Sequence, residues 1–122
     1  ESRKRIIVIE GKRLYKKSDK QYVSGKTGGI CRFKREEHGE DKNLNVACII
    51  GYVQKESFTF WHQKINTWIN AEKSKSTNMK WHEDETLSSP EISKTILAKS
   101  TSNHKRMTLP SIELRHFWVM VS

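Results

Sequence analysis

The stretch Val46–Val53, VACIIGYV, is followed almost at once by residues 57–72, SFTFWHQKINTWINAE, and these two segments decide the fold. The first is apolar and rich in β-branched residues, which is typical of a buried strand. The second repeats large apolar residues at helical spacing, namely Phe58, Trp61, Ile65, Trp68 and Ile69. Ser57 is a good N-cap. The pair predicts a central β-strand followed by an amphipathic helix over 57–72.

Two further elements are predicted toward the C-terminus. Residues 112–120, IELRHFWVM, alternate apolar and polar side chains before an apolar end, which predicts a closing strand. Ser88 and Glu91 flank Pro90 at the spacing of a capping box. This signature predicts a second, short helix over 89–99.

The N-terminal third reads as a series of short strands. Residues 5–10 are rich in β-branched side chains, which predicts a strand. Gly11-Lys12 is then a possible two-residue turn before residues 13–17. Residues 21–23 and 30–34 are also interpreted as short strands. We therefore expect an N-terminal basic hairpin or meander, and an α+β fold with a mainly antiparallel sheet.

Composition bounds the class of protein. The chain has 122 residues, so we expect a single small basic domain over 1–122. Leu, Ile, Val and Phe supply only 27 residues, close to the level at which disorder is expected, but four tryptophans argue for a real core. No apolar run approaches the roughly 18 residues of a membrane-spanning helix. We expect a soluble protein with a modest core.

The cysteine content favours an intracellular protein. Only Cys31 and Cys48 are present, which is too few for a disulfide scaffold. The chain also lacks an Asn-x-Ser/Thr sequon. We expect reduced thiols and a location in the cytoplasm or nucleus.

The distribution of charge is the most informative feature. The formal net charge is +9, and residues 1–35 account for all of it, with 12 Lys or Arg against 3 acids. Residues 36–122 hold equal numbers of both signs. A basic region confined to one part of a chain is typical of a polyanion binder, although solubility alone also favours such a surface.

The candidate binding residues come from this basic region. Lysines and arginines neutralise phosphates, while an aromatic ring stacks on an unpaired base. If Leu14 faces the core, strand alternation places Arg13, Tyr15 and Lys17 on the opposite face. The predicted nucleic-acid-binding residues are Lys12, Arg13, Tyr15, Lys16, Lys17, Lys20, Tyr22 and Lys26.

The sequence leaves three classes of function open. The first is a non-catalytic domain that binds RNA or another single-stranded nucleic acid. The second is a protein-interaction or assembly subunit that would bury Phe60 and Trp81. The third is a metal-dependent nuclease that would use the acidic residues 83–85 beside His82. No cofactor, metal site or catalytic residue is predicted, and enzymatic activity is the less favoured interpretation.

Overall fold

The computed structural model describes residues 8–25, 28–36, 44–75, 79–82 and 84–121. Its regular elements, in chain order, are β1 (Ile9–Leu14), α1 (Gly29–Lys34), β2 (Val46–Val53), α2 (Phe58–Lys73), β3 (Glu91–Ser93), β4 (Leu97–His104) and β5 (Ile112–Met120). A short 3-10 turn, Lys20–Tyr22, precedes α1. The chain therefore forms an α+β fold with five strands in one sheet.

The sheet is mixed, with the strand order β1-β2-β5-β4-β3. β1 and β5 both run parallel to β2, whereas β4 is antiparallel to β5 and to β3. β2 is thus an interior strand, as its apolar sequence predicted, but it is parallel to both of its neighbours, which was not expected. The segment between β1 and β2 contains α1, and a helix in such a crossover is usual for parallel neighbours.

The predicted N-terminal hairpin is wrong. Gly11 lies inside one continuous strand, opposite Ile50 of β2, rather than in a turn. The expected mainly antiparallel sheet is correct only for the β3–β4–β5 half. Pairing with the more apolar β2 outweighs the local turn signal, because β2 offers a complete ladder to β1.

One face of the sheet carries the core. The apolar stripe of α2 is buried as predicted, and Ser57 accepts a hydrogen bond from the Phe60 amide at 3.0 Å as its N-cap. Leu14, Ile49 and Trp118 meet this helix layer and are almost fully buried. The strand expected over 30–34 is instead α1, whose Ile30 and Phe33 join the same core.

The second predicted helix, over 89–99, is also wrong. This segment forms β3, a turn and the start of β4. The Ser88 hydroxyl accepts the Thr101 amide at 3.0 Å, and so joins the sheet instead of capping a helix. Lys94 and Thr95 make the turn with φ values of 51° and 59°. Neither residue favours that region, so the sequence carries no turn signal there.

Two expectations about the rest of the chain concern thiols and membranes. Cys31 and Cys48 are not bonded to each other, and burial raises the pKa of the Cys31 thiol to about 11. Within the described ranges, neither helix has the length and apolar character needed to cross a membrane.

Candidate functional site

The sheet has a second face, opposite the helices, which we call the open face. Strand alternation puts Gly11, Ile50, Phe117 and Lys99 side by side across it, on β1, β2, β5 and β4. Its residues are half-buried or exposed. Among them are the side chains of Ile9, Arg13, Cys48, Tyr52, Arg115 and Val119. Aromatic and cationic side chains are thus interleaved on an accessible surface.

Tyr52 is the largest exposed ring on the open face, with 45% of its surface accessible. It is opposite Arg13 in the β1–β2 register. A Cβ atom added to Gly11 would lie 3.2 Å from Cε2 of Tyr52, so the ring occupies the space over this glycine. The absence of a side chain at Gly11 therefore gives the tyrosine ring its place against β1.

Tyr15 forms a second exposed ring just beyond the end of β1. Its exposed fraction is 41%. The Arg13 guanidinium carbon lies 5.8 Å from the ring centroid, and the Lys55 ammonium lies 5.9 Å from it. Because both cations are within cation–π range, Tyr15 is held between two positive charges. This confirms the predicted neighbourhood of Arg13 and Tyr15, with Leu14 buried on the opposite face.

The turn after β1 supplies further exposed cations. Lys16, Lys17 and Lys20 are exposed around it. The Asp19 carboxylate organises the turn, since it accepts the amides of Tyr15 and Lys16 at 2.9 and 2.8 Å. Three of the predicted phosphate ligands thus lie on one tight, ordered turn beside Tyr15.

Two other predicted ligands, Lys12 and Tyr22, do not join this surface. Lys12 lies on the covered face, where its ammonium is 3.8 Å from the Glu10 carboxylate, because Glu10 and Lys12 alternate inward with Leu14. Tyr22 was expected beside Lys20 for base stacking, but it is 1% exposed and lies in the core. The 3-10 turn that replaces the expected strand rotates its ring inward. Lys26 lies outside the described residues.

The open face also holds residues that the sequence analysis did not select. Phe117, Lys99 and Arg115 border a groove of about 630 Å³ that reaches the segment before β3. Ser88, Ser89 and Glu91 line its other side. Arg115 is 2.8 Å from the Glu113 carboxylate. The alternation of apolar and polar residues in β5 was visible in the sequence, but the pairing of β5 with β2 and β4 was not. The sequence therefore could not predict that these residues lie together.

A chain of buried hydrogen bonds lies on the covered side of the sheet, and we call it the polar chain. At one end the Lys34 ammonium donates to Glu85 Oε1 at 2.6 Å and to the Lys105 carbonyl at 3.0 Å. The same Glu85 oxygen lies 2.8 Å from His104 Nδ1. His104 Nε2 lies 2.6 Å from the Ser102 hydroxyl. This end connects α1, β4 and the segment before β3.

The polar chain continues to the centre of the sheet. The Ser102 hydroxyl also lies 2.7 Å from His116 Nε2. His116 Nδ1 is 2.6 Å from the Tyr22 hydroxyl, which accepts the Trp118 indole N–H at 2.9 Å. The side chains of His104, Ser102, His116, Tyr22 and Trp118 are all at most 2% exposed. Buried polar groups are stable only when they are hydrogen-bonded, and here each one is.

The two ends of the polar chain fix both histidine tautomers. The Glu85 carboxylate can only accept, so His104 carries its proton on Nδ1 and accepts the Ser102 hydroxyl on Nε2. Ser102 must then accept from His116 Nε2–H. This leaves His116 Nδ1 to accept the Tyr22 hydroxyl proton. Both rings are neutral, and each gap from Trp118 to Glu85 contains a single hydrogen.

Burial keeps the chain in this protonation state. It lowers the pKa of His116 to about 3 and also lowers the pKa of His104, against the opposing effect of Glu85. Burial alone would raise the pKa of the Glu85 carboxyl, but hydrogen bonds from His104 and Lys34 hold it below its usual value. Glu85 and Lys34 thus form a buried ion pair beside two neutral imidazoles.

Ser102, His104 and Glu85 have the connectivity of a hydrolytic triad, but the geometry does not suit nucleophilic attack. The adjoining cleft, about 360 Å³, is lined by Glu85 and His104 rather than by the serine. The Ser102 hydroxyl is 2% exposed and also accepts from His116. The arrangement is therefore one of structural hydrogen bonding, with its acidic end toward the cleft.

Of the acidic residues considered for a nuclease, Asp84 is exposed, whereas Glu85 is engaged within the protein. Glu85 is paired with Lys34, and its second oxygen accepts the His82 amide at 2.7 Å. Glu36 accepts the amide of Leu109 at 2.7 Å and also binds Thr108. Glu83 lies outside the described residues. In the part of the chain that the structure describes, no three His, Cys, Asp or Glu side chains converge as metal ligands.

The two aromatic residues expected to meet a partner pack within the protein instead. Trp81 is half-buried, its ring 4.3 Å from the Lys34 ammonium and in edge contact with His104 at 6.0 Å between centroids. Phe60 is also half-buried, and its ring meets the edge of Trp61. Trp81 thus anchors its segment over the polar chain.

Comparison with known proteins gives no indication of the function. No protein-family model, curated protein or solved structure matches the chain. The function therefore has to be argued from the open face, its neighbouring turn and the polar chain.

Proposed function

We propose that this protein binds single-stranded nucleic acid across the open face of its sheet and the basic turn that follows β1. The observation that carries the proposal is the pair of exposed tyrosines, Tyr52 and Tyr15, with Arg13 beside both. An exposed ring next to a cation suits a nucleotide, because the ring stacks on the base while the cation neutralises the phosphate.

The form of the surface favours a single strand over a duplex. Base stacking on a protein ring requires a base that is free of its own stack, as in loops and single strands. Tyr52 lies on the sheet and Tyr15 just beyond the end of β1, rather than on a helix or ribbon that would enter a major groove. A sheet with aromatic rings on its accessible face is one of the arrangements proteins use to bind RNA bases.

Charge supports the same ligand. Lys16, Lys17 and Lys20 are exposed beside Tyr15, and Lys55 approaches from the loop between β2 and α2. The whole excess of positive charge in the sequence belongs to this N-terminal third. Because phosphate binding releases counterions, we expect an affinity that decreases steeply with salt.

The triple variant Arg13→Ala, Lys16→Ala, Lys17→Ala tests the cationic part of the site. We expect binding to labelled single-stranded oligonucleotides to weaken by at least about tenfold, with a shallower dependence on salt. Fluorescence polarisation at several salt concentrations measures both. The matched control removes Lys64, Lys73 and Lys75, three cations of α2 and its C-terminal turn. Equal losses in the two triple variants would contradict a localised site.

The variant Tyr52→Ala tests stacking separately from charge. We expect it to cost about 1–3 kcal/mol of binding free energy, whereas Tyr52→Phe keeps the ring and most of the affinity. Because Tyr52 is exposed on the open face, neither change removes core packing, and circular dichroism checks that the fold is retained. If the Ala and Phe variants bind alike, the ring does not stack on a base.

A protein-interaction role is the second candidate. The observation favouring it is apolar exposure at the ends of the sheet, where Ile9, Ile92 and Ile96 are each at least half exposed. Sedimentation velocity tests self-association directly. A concentration-independent monomer that binds oligonucleotides would favour the nucleic-acid role, whereas a dimer lost in an Ile92→Ser, Ile96→Ser variant would favour assembly.

A further inference from the structure

The groove beside Phe117 combines two kinds of group that a simple phosphate site does not need together. Lys99, the cross-strand partner of Phe117, and Arg115, two residues before Phe117 on β5, supply positive charge to this groove. Glu91 lines the same groove and is the cross-strand partner of Lys99. A carboxylate repels phosphate, so its presence among these cations calls for a ligand that also brings a hydrogen-bond donor.

A ribonucleotide offers that combination. Its phosphate is attracted to Lys99 and Arg115, and its base has a flat face for the ring of Phe117. Its 2′-hydroxyl is a donor that a carboxylate accepts well, and deoxyribose lacks this group. The hydroxyls of Ser89 and Thr101, which also line the groove, add further partners for a sugar.

The groove is continuous with the site of the proposed function. Phe117 is paired with Ile50 on β2, and Tyr52 lies two residues farther along that strand. Arg13 on β1 is three strand spacings from β4, a width of about 14 Å at the usual strand spacing. A strand of a few nucleotides that stacks on Tyr52 therefore reaches the groove without leaving the open face.

Resting on the proposed function, we infer that the groove binds one ribonucleotide of the strand, with Glu91 accepting its 2′-hydroxyl, so that the protein prefers RNA to DNA. Lys99 and Arg115 bind the adjoining phosphate, and the ring of Phe117 stacks on the base. Glu91 is the specificity-determining residue, because it discourages a phosphate alone and favours a sugar that carries the hydroxyl.

The test compares short, unstructured RNA and DNA of one sequence by fluorescence polarisation. We expect the wild-type protein to bind the RNA at least about tenfold more tightly, the value of one hydrogen bond to a charged group. The variant Glu91→Ala should bring the ratio close to one, with DNA binding unchanged or tighter. Glu91 is exposed, so the substitution leaves the core intact.

The control is Asp84→Ala, which removes an exposed acid that lines the cleft beside Glu85 rather than the groove. It should strengthen RNA and DNA binding alike and leave their ratio unchanged. Equal binding of RNA and DNA by the wild-type protein, or a ratio that survives Glu91→Ala, would overturn the inference and leave single-strand binding standing. Absence of binding to either strand would instead reject the proposed function itself.

Discussion

Between about pH 7 and about pH 5 the free energy of unfolding should decrease by at least about 2 kcal/mol, because His116, like His104, is buried as a neutral ring. A loss of this size is a large part of the roughly 5–15 kcal/mol that stabilises an ordinary domain. The protein is therefore expected to be measurably destabilised in mild acid, before most carboxylates are protonated.

The sign follows from where each proton binds. A histidine has a pKa near 6.5 in the unfolded chain, whereas the pKa of both rings is lowered in the folded protein, that of His116 to about 3. Below about pH 6.5 the unfolded state binds more protons than the folded state, so acid favours unfolding. Each ring contributes up to about 1.4 kcal/mol per pH unit until its folded pKa is reached.

The polar chain cannot take up a further proton without losing a hydrogen bond. Each gap between Trp118 and Glu85 already contains one hydrogen. A second proton on His116 or His104 brings two donors face to face in one gap. The Ser102 hydroxyl can turn to accept from both rings, but its own hydrogen then loses its partner in the chain, so protonation breaks a buried hydrogen bond.

Urea denaturation followed by tryptophan fluorescence across this pH range measures the loss. The variant His116→Gln should remove about one proton from the uptake on unfolding, so stability should decrease less steeply as the pH is lowered. His82→Gln, at an exposed histidine, should leave the slope unchanged. Nitrogen NMR shifts provide an independent check, with the proton on Nδ1 of His104 and on Nε2 of His116. A stability that is flat over this range would contradict the neutral pair.

Replacing Lys34 by Met should destabilise the protein by about 3–5 kcal/mol at neutral pH, although it removes a charge and leaves an apolar side chain of similar length. Lys34 and Glu85 are 1% and 2% exposed, and 2.6 Å separates their charged atoms. Removing one partner of such a pair leaves the other charge buried without compensation. Glu85→Gln should be damaging for the same reason, since it strands the Lys34 ammonium.

The double variant Lys34→Met, Glu85→Gln separates this explanation from a simple loss of packing. Because it removes both charges while Gln still accepts from His104, it should be more stable than the sum of the single effects predicts. Urea midpoints with unchanged m-values provide the comparison. The surface pair Lys75 and Glu72 is the control, and Lys75→Met should leave the urea midpoint nearly unchanged. Additive losses at Lys34 and Glu85 would contradict the coupling.

The elements with strong local patterns were predictable from the sequence. The helix expected over 57–72 is Phe58–Lys73, and the strands at Val46–Val53 and Ile112–Met120 have the expected bounds. Their apolar residues repeat over many positions, so the pattern was unambiguous. The segments 30–34 and 89–99 were predicted wrongly, because each is short and its state depends on what it packs against.

The candidate site also has a part that could be predicted from the sequence and a part that could not. The charge of residues 12–20 and the common side of Arg13 and Tyr15 could be inferred from strand alternation alone. Tyr52 and Phe117 could not be recognised as surface residues, since each lies in an apolar segment and the covered face of each strand was unknown. Tyr22 was expected outside and is buried, because a 3-10 turn replaces the predicted strand.

The sequence by itself determined the presence of the two central strands, the long helix and the position of the positive charge, because these depend on residues close together in the chain. Only the tertiary structure decided that β1 and β5 lie on either side of β2, which leaves one face of the sheet open. It also brought Lys34, Glu85 and His104 together across 70 positions of sequence. Long-range pairing and burial set those outcomes, and no local pattern records them.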